Sequence, residues 1–302
     1  MSRELTTKAN YSIVLVNYKS LELTRICLKL LQEALQGQDV TVFVVDNDSR
    51  DASSDYLRSL DWIRLIERQP SAPEAGNLAH GRALDLALEQ VETEYLFLLH
   101  SDTFIYDPRI FSVMLKQCGA HPRVAAVGCL EQLDRGVLRS AWRRVSRFGK
   151  HYTRRGLRSL GVQAREPKPY KETHLKSFCT LWNARLIKQH GLHFQMDQRN
   201  PGYELQDRMS ALNYSIGLIS PRKIFSYLDH IQSGTVSAMG GYSAHHRRVR
   251  MYQQITAEKP STADLPPLQS LWRSLKQQLS GAMTLEKLKS RFTTRSAKLR
   301  AH

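Results

Sequence analysis

The feature that most constrains this chain is Tyr95-Leu96-Phe97-Leu98-Leu99, an apolar run that gives way within one step to His100-Ser101-Asp102. A run this short and this rich in bulky side chains is too brief for an ordinary helix and reads as a buried strand. A strand buried on both faces needs covering layers, and its carboxyl end delivers polar residues to the edge of a sheet. In open α/β sheets the ligand crevice lies just outside those carboxyl ends. A carboxylate placed there, Asp102, can hold a divalent metal, and the metal can hold a diphosphate. The plainer reading of the same residues is a polar turn with Asp102 as a cap.

Two more strands end in the same manner. Ser12 to Val16 runs into Asn17-Tyr18-Lys19-Ser20, and Val40 to Val45 runs into Asp46-Asn47-Asp48. Trp62 to Ile66 reads as a further strand. Leu21 to Leu35 and Leu78 to Val91 carry apolar residues at helical spacing, and Pro108 to Gly119 is a third helix before a strand at Val124 to Cys129. Strands alternating with helices predict a parallel sheet covered on both faces. No GxGxxG follows the first strand, which counts against a nicotinamide or flavin enzyme.

SIVLVNYKS, VFVVDNDSRDAS, NLAHGRALDLAL and YLFLLHSDT, in that order, resemble the nucleotide-sugar half of inverting family 2 glycosyltransferases, the rhamnosyltransferase-like members above all. The resemblance covers roughly residues 10 to 235. It implies a GT-A fold: a Rossmann-like, mostly parallel sheet flanked by helices, here with a basic helical C-terminal extension. It implies a nucleoside-diphosphate sugar donor gripped by Asn17, Tyr18, Asp46, Asn47, His80, Gly81, Arg82, Ser101 and Asp102, with Asp46 contacting the base. His100-Ser101-Asp102 stands where the family has its DXD-like motif, with histidine in place of the first acid. A closing segment, Phe225 to Thr235, contributes His230. The implied metal ligands are therefore Asp102, His230 and His100, for a magnesium or manganese ion. Gly202-Tyr203-Glu204-Leu205-Gln206-Asp207 resembles the segment that carries the catalytic base, with Leu205 where the family has an acid. Inverting transfer needs a carboxylate to take the acceptor proton, and either Asp207 or Glu204 can supply it, Asp207 being favoured.

Composition bears on what lies around that site. The 302 residues, 41% of them hydrophobic, suit a domain of residues 1–236 and a basic region of 237–302. The N-terminus lacks the apolar core of a signal peptide, no run is long enough to span a bilayer, and Cys27, Cys118, Cys129 and Cys179 form no CxxC pair. These observations predict a cytoplasmic protein with reduced thiols. A net charge of +16 calls for an anionic partner. Its densest source is residues 135–176, an acceptor-side insertion where arginines and lysines alternate with Trp142, Phe148, Tyr152 and Tyr170. That pattern fits a membrane-facing segment, a reader of acceptor phosphates, a nucleic-acid surface or a solvated loop. The tail, Leu268 to His302, mixes leucines with many cations and could lie on an anionic bilayer or pack on the domain. The expected partners are a nucleotide-sugar donor, a saccharide or lipid-linked acceptor of lipopolysaccharide type, and the inner face of a membrane. A nucleic-acid-binding protein and a glycosyltransferase-like scaffold without activity are the alternatives. The first does not explain polar residues gathered at three strand ends.

Overall fold

The structure, a computed structural model, describes residues 8–231 apart from 134–135, 164, 166, 168–169 and 198. The expected helical extension of residues 237–302 lies outside the described residues. From the N-terminus, β1 (Lys8–Asn17), α1 (Leu21–Ala34), β2 (Asp39–Asn47), α2 (Ala52–Arg58), β3 (Arg64–Arg68), α3 (Gly76–Gln90) and β4 (Tyr95–His100) alternate, with the short α2 unforeseen and β3 two residues later than its apolar run suggested. Then follow β5 (Thr103–Ile105), α4 (Arg109–Cys118), β6 (Val124–Gly128), α5 (Val137–Ser159), β7 (Cys179–Asn183) and α6 (Ala184–Gln189). Last come α7 (Tyr203–Ala211), β8 (Ser215–Leu218), α8 (Pro221–Ile224) and β9 (Leu228–His230).

The main sheet has the order β3-β2-β1-β4-β7-β6-β8, and β5 and β9 form a separate pair. Strands β1 to β4 are parallel, as are β6 and β8, while β7 runs antiparallel between β4 and β6. The sheet is thus mostly parallel, with one reversed strand near its middle. Successive side chains of a strand point to opposite faces, and this splits the core in two. Ile13, Leu15, Val42, Val44, Phe97 and Leu99 face α1 and α4. Val14, Val16, Phe43, Val45, Leu96 and Leu98 face α3, α6 and α7. Burial on both faces is why these strands read as unbroken apolar runs.

Residues 137–159, read from sequence as part of a basic insertion, form a continuous helix. Trp142, Val145, Phe148 and Tyr152 stand three and four apart, the helical period that their cationic neighbours disguise. All four cysteines are buried and free, and burial pushes the Cys118 thiol up to about 12. No helix among the described residues is long and apolar enough to cross a membrane.

Phe97 is fully buried, edge-on to Tyr11 at 5.3 Å and to Phe111 at 5.0 Å between ring centroids. Phe97→Ala is expected to lower stability by about 3–5 kcal/mol in urea denaturation. A loss of under about 1 kcal/mol would contradict the core described here.

Candidate functional site

Strand order decides where a crevice opens. From β1 the chain passes to β2 and β3 on one side, then crosses to β4 on the other. Such a switch leaves a gap between the outgoing loops at the carboxyl edge. Register aligns Asn17 with Asp46 and Val16 with His100 at that edge. A cleft of about 980 Å³ lies there, lined by Tyr18, Asn47, Asp48, His80, Ser101 and Asp102 among others.

Asn17 and Asp46 do not line it. The Asn17 side chain is fully buried, and its Nδ2 lies within 3.0 Å of Asp46 Oδ1, Ser49 Oγ and Ser53 Oγ. Its Oδ1 accepts from Thr24 Oγ1 at 2.8 Å and Ser20 Oγ at 3.1 Å. Asp46 accepts from Ser49 as well and, at 2.6 Å, from Ser54 Oγ. Its carboxylate is spent holding the β2–α2 loop, whereas the base contact expected of it would need a carboxylate open to the cleft. The residues that follow reach the cleft instead. Asn47 Oδ1 accepts from Arg68 Nη1 at 2.8 Å, and Arg68 Nη2 donates to Glu74 at 2.5 Å. Glu74 also takes Arg82. Burial opposes its charge, but the two guanidinium groups outweigh that and hold its carboxyl below the usual range. Arg82 is thereby turned to Glu74, and Gly81 packs against the Gln195 side chain, where a Cβ would come within 2.3 Å of Oε1. Of the His80-Gly81-Arg82 trio only His80 lines the cleft.

The expected metal ligands do meet. Strand β9 pairs antiparallel with β5, opposite Thr103, and Ile231 N–H donates to the Asp102 carbonyl at 2.9 Å. This carries His230 to the end of β4, with Nε2 3.4 Å from Asp102 Oδ1; His100 Nδ1 is 3.8 Å from the same oxygen. One ligand atom from each residue lies within 4.8 Å of the others. His230 Nδ1 lies 3.0 Å from the Gln132 carbonyl, which can only accept. Nδ1 therefore donates to it, and Nε2 is the nitrogen that faces Asp102. An imidazole whose second nitrogen is tied to a backbone carbonyl is the usual arrangement of a metal-bound histidine. Burial pushes His100 down to about 3, the neighbouring His80 and His230 adding to it against Asp102. Burial likewise takes His80 to about 4. His100 is therefore neutral near pH 7, as ligation requires, and His80 beside it adds no positive charge. Two imidazoles and a carboxylate fit a divalent transition ion.

Glu204 and Asp207 share the first turns of α7, but neither lines the cleft. Arg199 Nη1 bridges them, 2.6 Å from Glu204 Oε2 and 2.7 Å from Asp207 Oδ2. Arg208 takes the other oxygen of Glu204 at 2.8 Å, and His174 Nε2 that of Asp207 at 3.0 Å. Arg199 and then Arg208 hold the Glu204 carboxyl below its usual range. For Asp207 burial pulls upward, but Arg199 and His174 outweigh it. Leu205, where the family has an acid, is fully buried in the core beneath α7.

Sequence reasoning missed Arg68, Glu74 and Lys176, all of which line the cleft. Lys176 Nζ donates to Tyr203 Oη at 2.7 Å and Glu172 at 2.9 Å. No motif singles out Arg68 or Glu74, Lys176 is not picked out of the segment that leads into β7, and only their return to the strand ends brings them in. If Asp46 is structural, Asp46→Ala takes the acceptor from the Ser49 and Ser54 hydroxyls and one of three from the Asn17 amide. Stability should then fall by about 1–3 kcal/mol in urea. An unchanged denaturation midpoint with lost nucleotide binding would return Asp46 to the role of a base contact.

Comparison with known proteins agrees with this architecture. Residues 12–178, over half of the chain, match the model of the family described as glycosyl transferase family 2. Among solved structures, a mannosyltransferase from Pyrobaculum calidifontis, in complex with GDP-Man and Mn2+, is 14% identical at a TM-score of 0.51. The match covers 97% of this chain and 76% of that one. TarS residues 1–349 from S. aureus is 17% identical at a TM-score of 0.48, over 92% of this chain and 73% of that one. Glucosyl-3-phosphoglycerate synthase from Mycobacterium tuberculosis, with phosphoglyceric acid, is 16% identical at 0.48, over 83% and 81%. No curated protein sequence matches. The mostly parallel helix-flanked sheet is of the GT-A type, and the chain belongs to glycosyl transferase family 2.

Proposed function

We propose that the chain is an inverting glycosyltransferase that moves a hexosyl or deoxyhexosyl unit from a nucleoside-diphosphate sugar to a saccharide acceptor. The rhamnosyltransferase-like subtype is part of this reading. So are a lipid-linked or lipopolysaccharide-type acceptor, a cytoplasmic location at the inner face of the membrane, and the division into a catalytic domain of 1–236 and a basic region of 237–302. One observation carries the proposal: in a family 2 fold, His100, Asp102 and His230 converge at the crevice where β1 and β4 part.

Tyr18, Asn47 and the Asn47–Arg68 pair form the donor end of the cleft. His100, Asp102 and His230 would hold a divalent cation, which would neutralise charge developing on the leaving diphosphate. Imidazole donors favour manganese over magnesium, which prefers oxygen ligands. Lys176 places a second positive charge in the same cleft, held upright by Tyr203 and Glu172. Asp207 is the candidate for taking the acceptor proton. It is 47% exposed against 14% for Glu204, so an acceptor reaches it more readily. Glu204, with both oxygens on arginines, positions α7 and Arg199. For Asp207 to act, Arg199 has to loosen, because a carboxylate held ionised by a guanidinium is a weaker base. The Arg199 clamp and the buried Leu205 favour a second reading, a scaffold that binds donor without transferring it.

Product assays and thermal shifts with a panel of nucleoside-diphosphate sugars, with and without metal, separate these readings. The active enzyme gives product and a metal-dependent melting shift that is larger with manganese than with magnesium; a scaffold gives the shift alone. Asp102→Ala should abolish both while the unliganded fold survives; normal turnover would reduce Asp102 to a turn residue. Asp207→Asn should slow transfer by about 10²–10⁴-fold with donor binding retained, and Glu204→Gln should do less. The reverse ranking moves the base to Glu204.

A further inference from the structure

Helix α5 is built the wrong way round for a helix packed on a protein. Its polar face points inward: Arg143 pairs with Glu131 at 3.0 Å and Arg147 with Glu172 at 2.5 Å, all four side chains roughly a quarter to a third exposed. Its apolar side chains stay largely exposed, with Trp142 74%, Val145 63%, Phe148 50%, Tyr152 46% and Leu160 81% exposed, although Phe148 meets Tyr170 edge-on at 5.4 Å and, with Val145, lines a groove that Leu218 and Pro221 close on the other side. At 100° per residue these five side chains fall on one side of the helix, opposite Arg143 and Arg147. The usual amphipathic helix buries that face, and an exposed apolar stripe of this size marks a contact surface.

The charges beside the stripe say what covers it. Residues 137–163 contain no Asp or Glu. Arg144 and Arg155, which border the stripe, and Lys150 and Arg158, which lie towards the face of Arg143 and Arg147, are exposed and make no ion pair among the described residues. A second copy would bring the same cations against these and be repelled. So would residues 232–302, whose only acids are Glu258, Asp264 and Glu286 among many lysines and arginines. Duplex nucleic acid would answer the cations but would offer little to Val145 or Leu160. A bilayer with anionic headgroups answers both, since it takes the stripe into its interface while the flanking cations meet the headgroups.

We infer that α5 is a membrane-docking helix that lays Trp142, Val145, Phe148, Tyr152 and Leu160 into an anionic bilayer. Glu172, which holds Arg147 from the helix, also holds Lys176 in the cleft. Docking therefore sets the mouth of the cleft close to the membrane surface, where a lipid-linked acceptor would present its sugar. The docking itself does not depend on the glycosyltransferase reading: a chain without transfer activity would still bind vesicles.

The test floats the full chain with phosphatidylcholine vesicles made with and without phosphatidylglycerol. Binding is expected only with the anionic lipid and should weaken with salt. Replacing Trp142, Phe148 and Leu160 by Ser should weaken it roughly tenfold or more, and so should replacing Arg144, Lys150 and Arg155 by Gln. Lys116→Gln, Arg123→Gln and Lys223→Gln together remove the same charge from exposed positions elsewhere and should leave binding in place. Melting temperatures of all three variants report whether they fold. Acrylamide quenching, taken as the difference between the wild type and Trp142→Phe, should show an accessible indole that lipid then shields. An indole shielded without lipid means that the chain covers the stripe, and the inference fails. It fails equally if the serine variant binds like wild type, if the elsewhere-charge variant loses as much, or if random duplex DNA is bound more tightly than the vesicles.

Discussion

A buried amide has to find partners, and the one at the end of β1 finds five. Asn17 sits fully enclosed where the central strand leaves the sheet. Its amide group ties β1 to the β2–α2 loop through Asp46, Ser49 and Ser53, and its carbonyl ties it to the start of α1 through Ser20 and Thr24. Leaving such a group unpaired in an apolar interior costs more than any single hydrogen bond returns. The network is therefore satisfied as a unit, and it fixes two loops against each other at the floor of the cleft. Asp48, at φ 65°, turns into the cleft beside it.

The opposite wall depends on pairing between distant segments. β7 enters antiparallel between β4 and β6, which places Phe178 and Ser177 beside the end of β4. Ser177 Oγ is then 2.9 Å from His100 Nε2, and the Phe178 carbonyl accepts from His100 N–H at 3.2 Å. β9 returns from the far end of the described chain to pair with β5, and Phe178 stacks on His230 at 4.6 Å. Three segments thus hold two imidazoles and a carboxylate in low-dielectric surroundings, and burial keeps His100 uncharged. The same burial that fixes the His100 ring in place also protects it from protons.

Electrostatics links this wall to the outer surface. Glu172 accepts from Arg147 of α5 and from Lys176 of the cleft, and Lys176 in turn donates to Tyr203 at the start of α7. Burial opposes the charge of Glu172, but its two cationic partners outweigh it and keep its carboxyl below the usual range. Partly buried pairs of this kind are screened less by salt than surface pairs. They make α5 part of the domain although none of its described apolar side chains joins the core.

What the sequence determined by itself is local. Run length and period place β1, β2, β4 and the helices between them, because burial on two faces leaves no polar residue inside a strand. The abrupt polar ends at Asn17, Asp46 and His100 follow from the same rule, and with the ordered motifs they made the family legible. Tertiary structure decided everything that depends on where a side chain turns or which distant strand arrives. Asp46 and Asn47 are neighbours in one motif, yet the strand's alternation sends one carboxylate into the Asn17 network and the other side chain to the cleft. His230 reaches Asp102 only because β9 pairs with β5. Glu204 and Asp207 read as a pair of open acids, and Arg199, outside any motif, closes over both. In α5 the heptad-like spacing was present in the sequence, but spacing reports an amphipathic helix without saying which face meets the protein. Glu131 and Glu172 settle that by drawing the arginines inward.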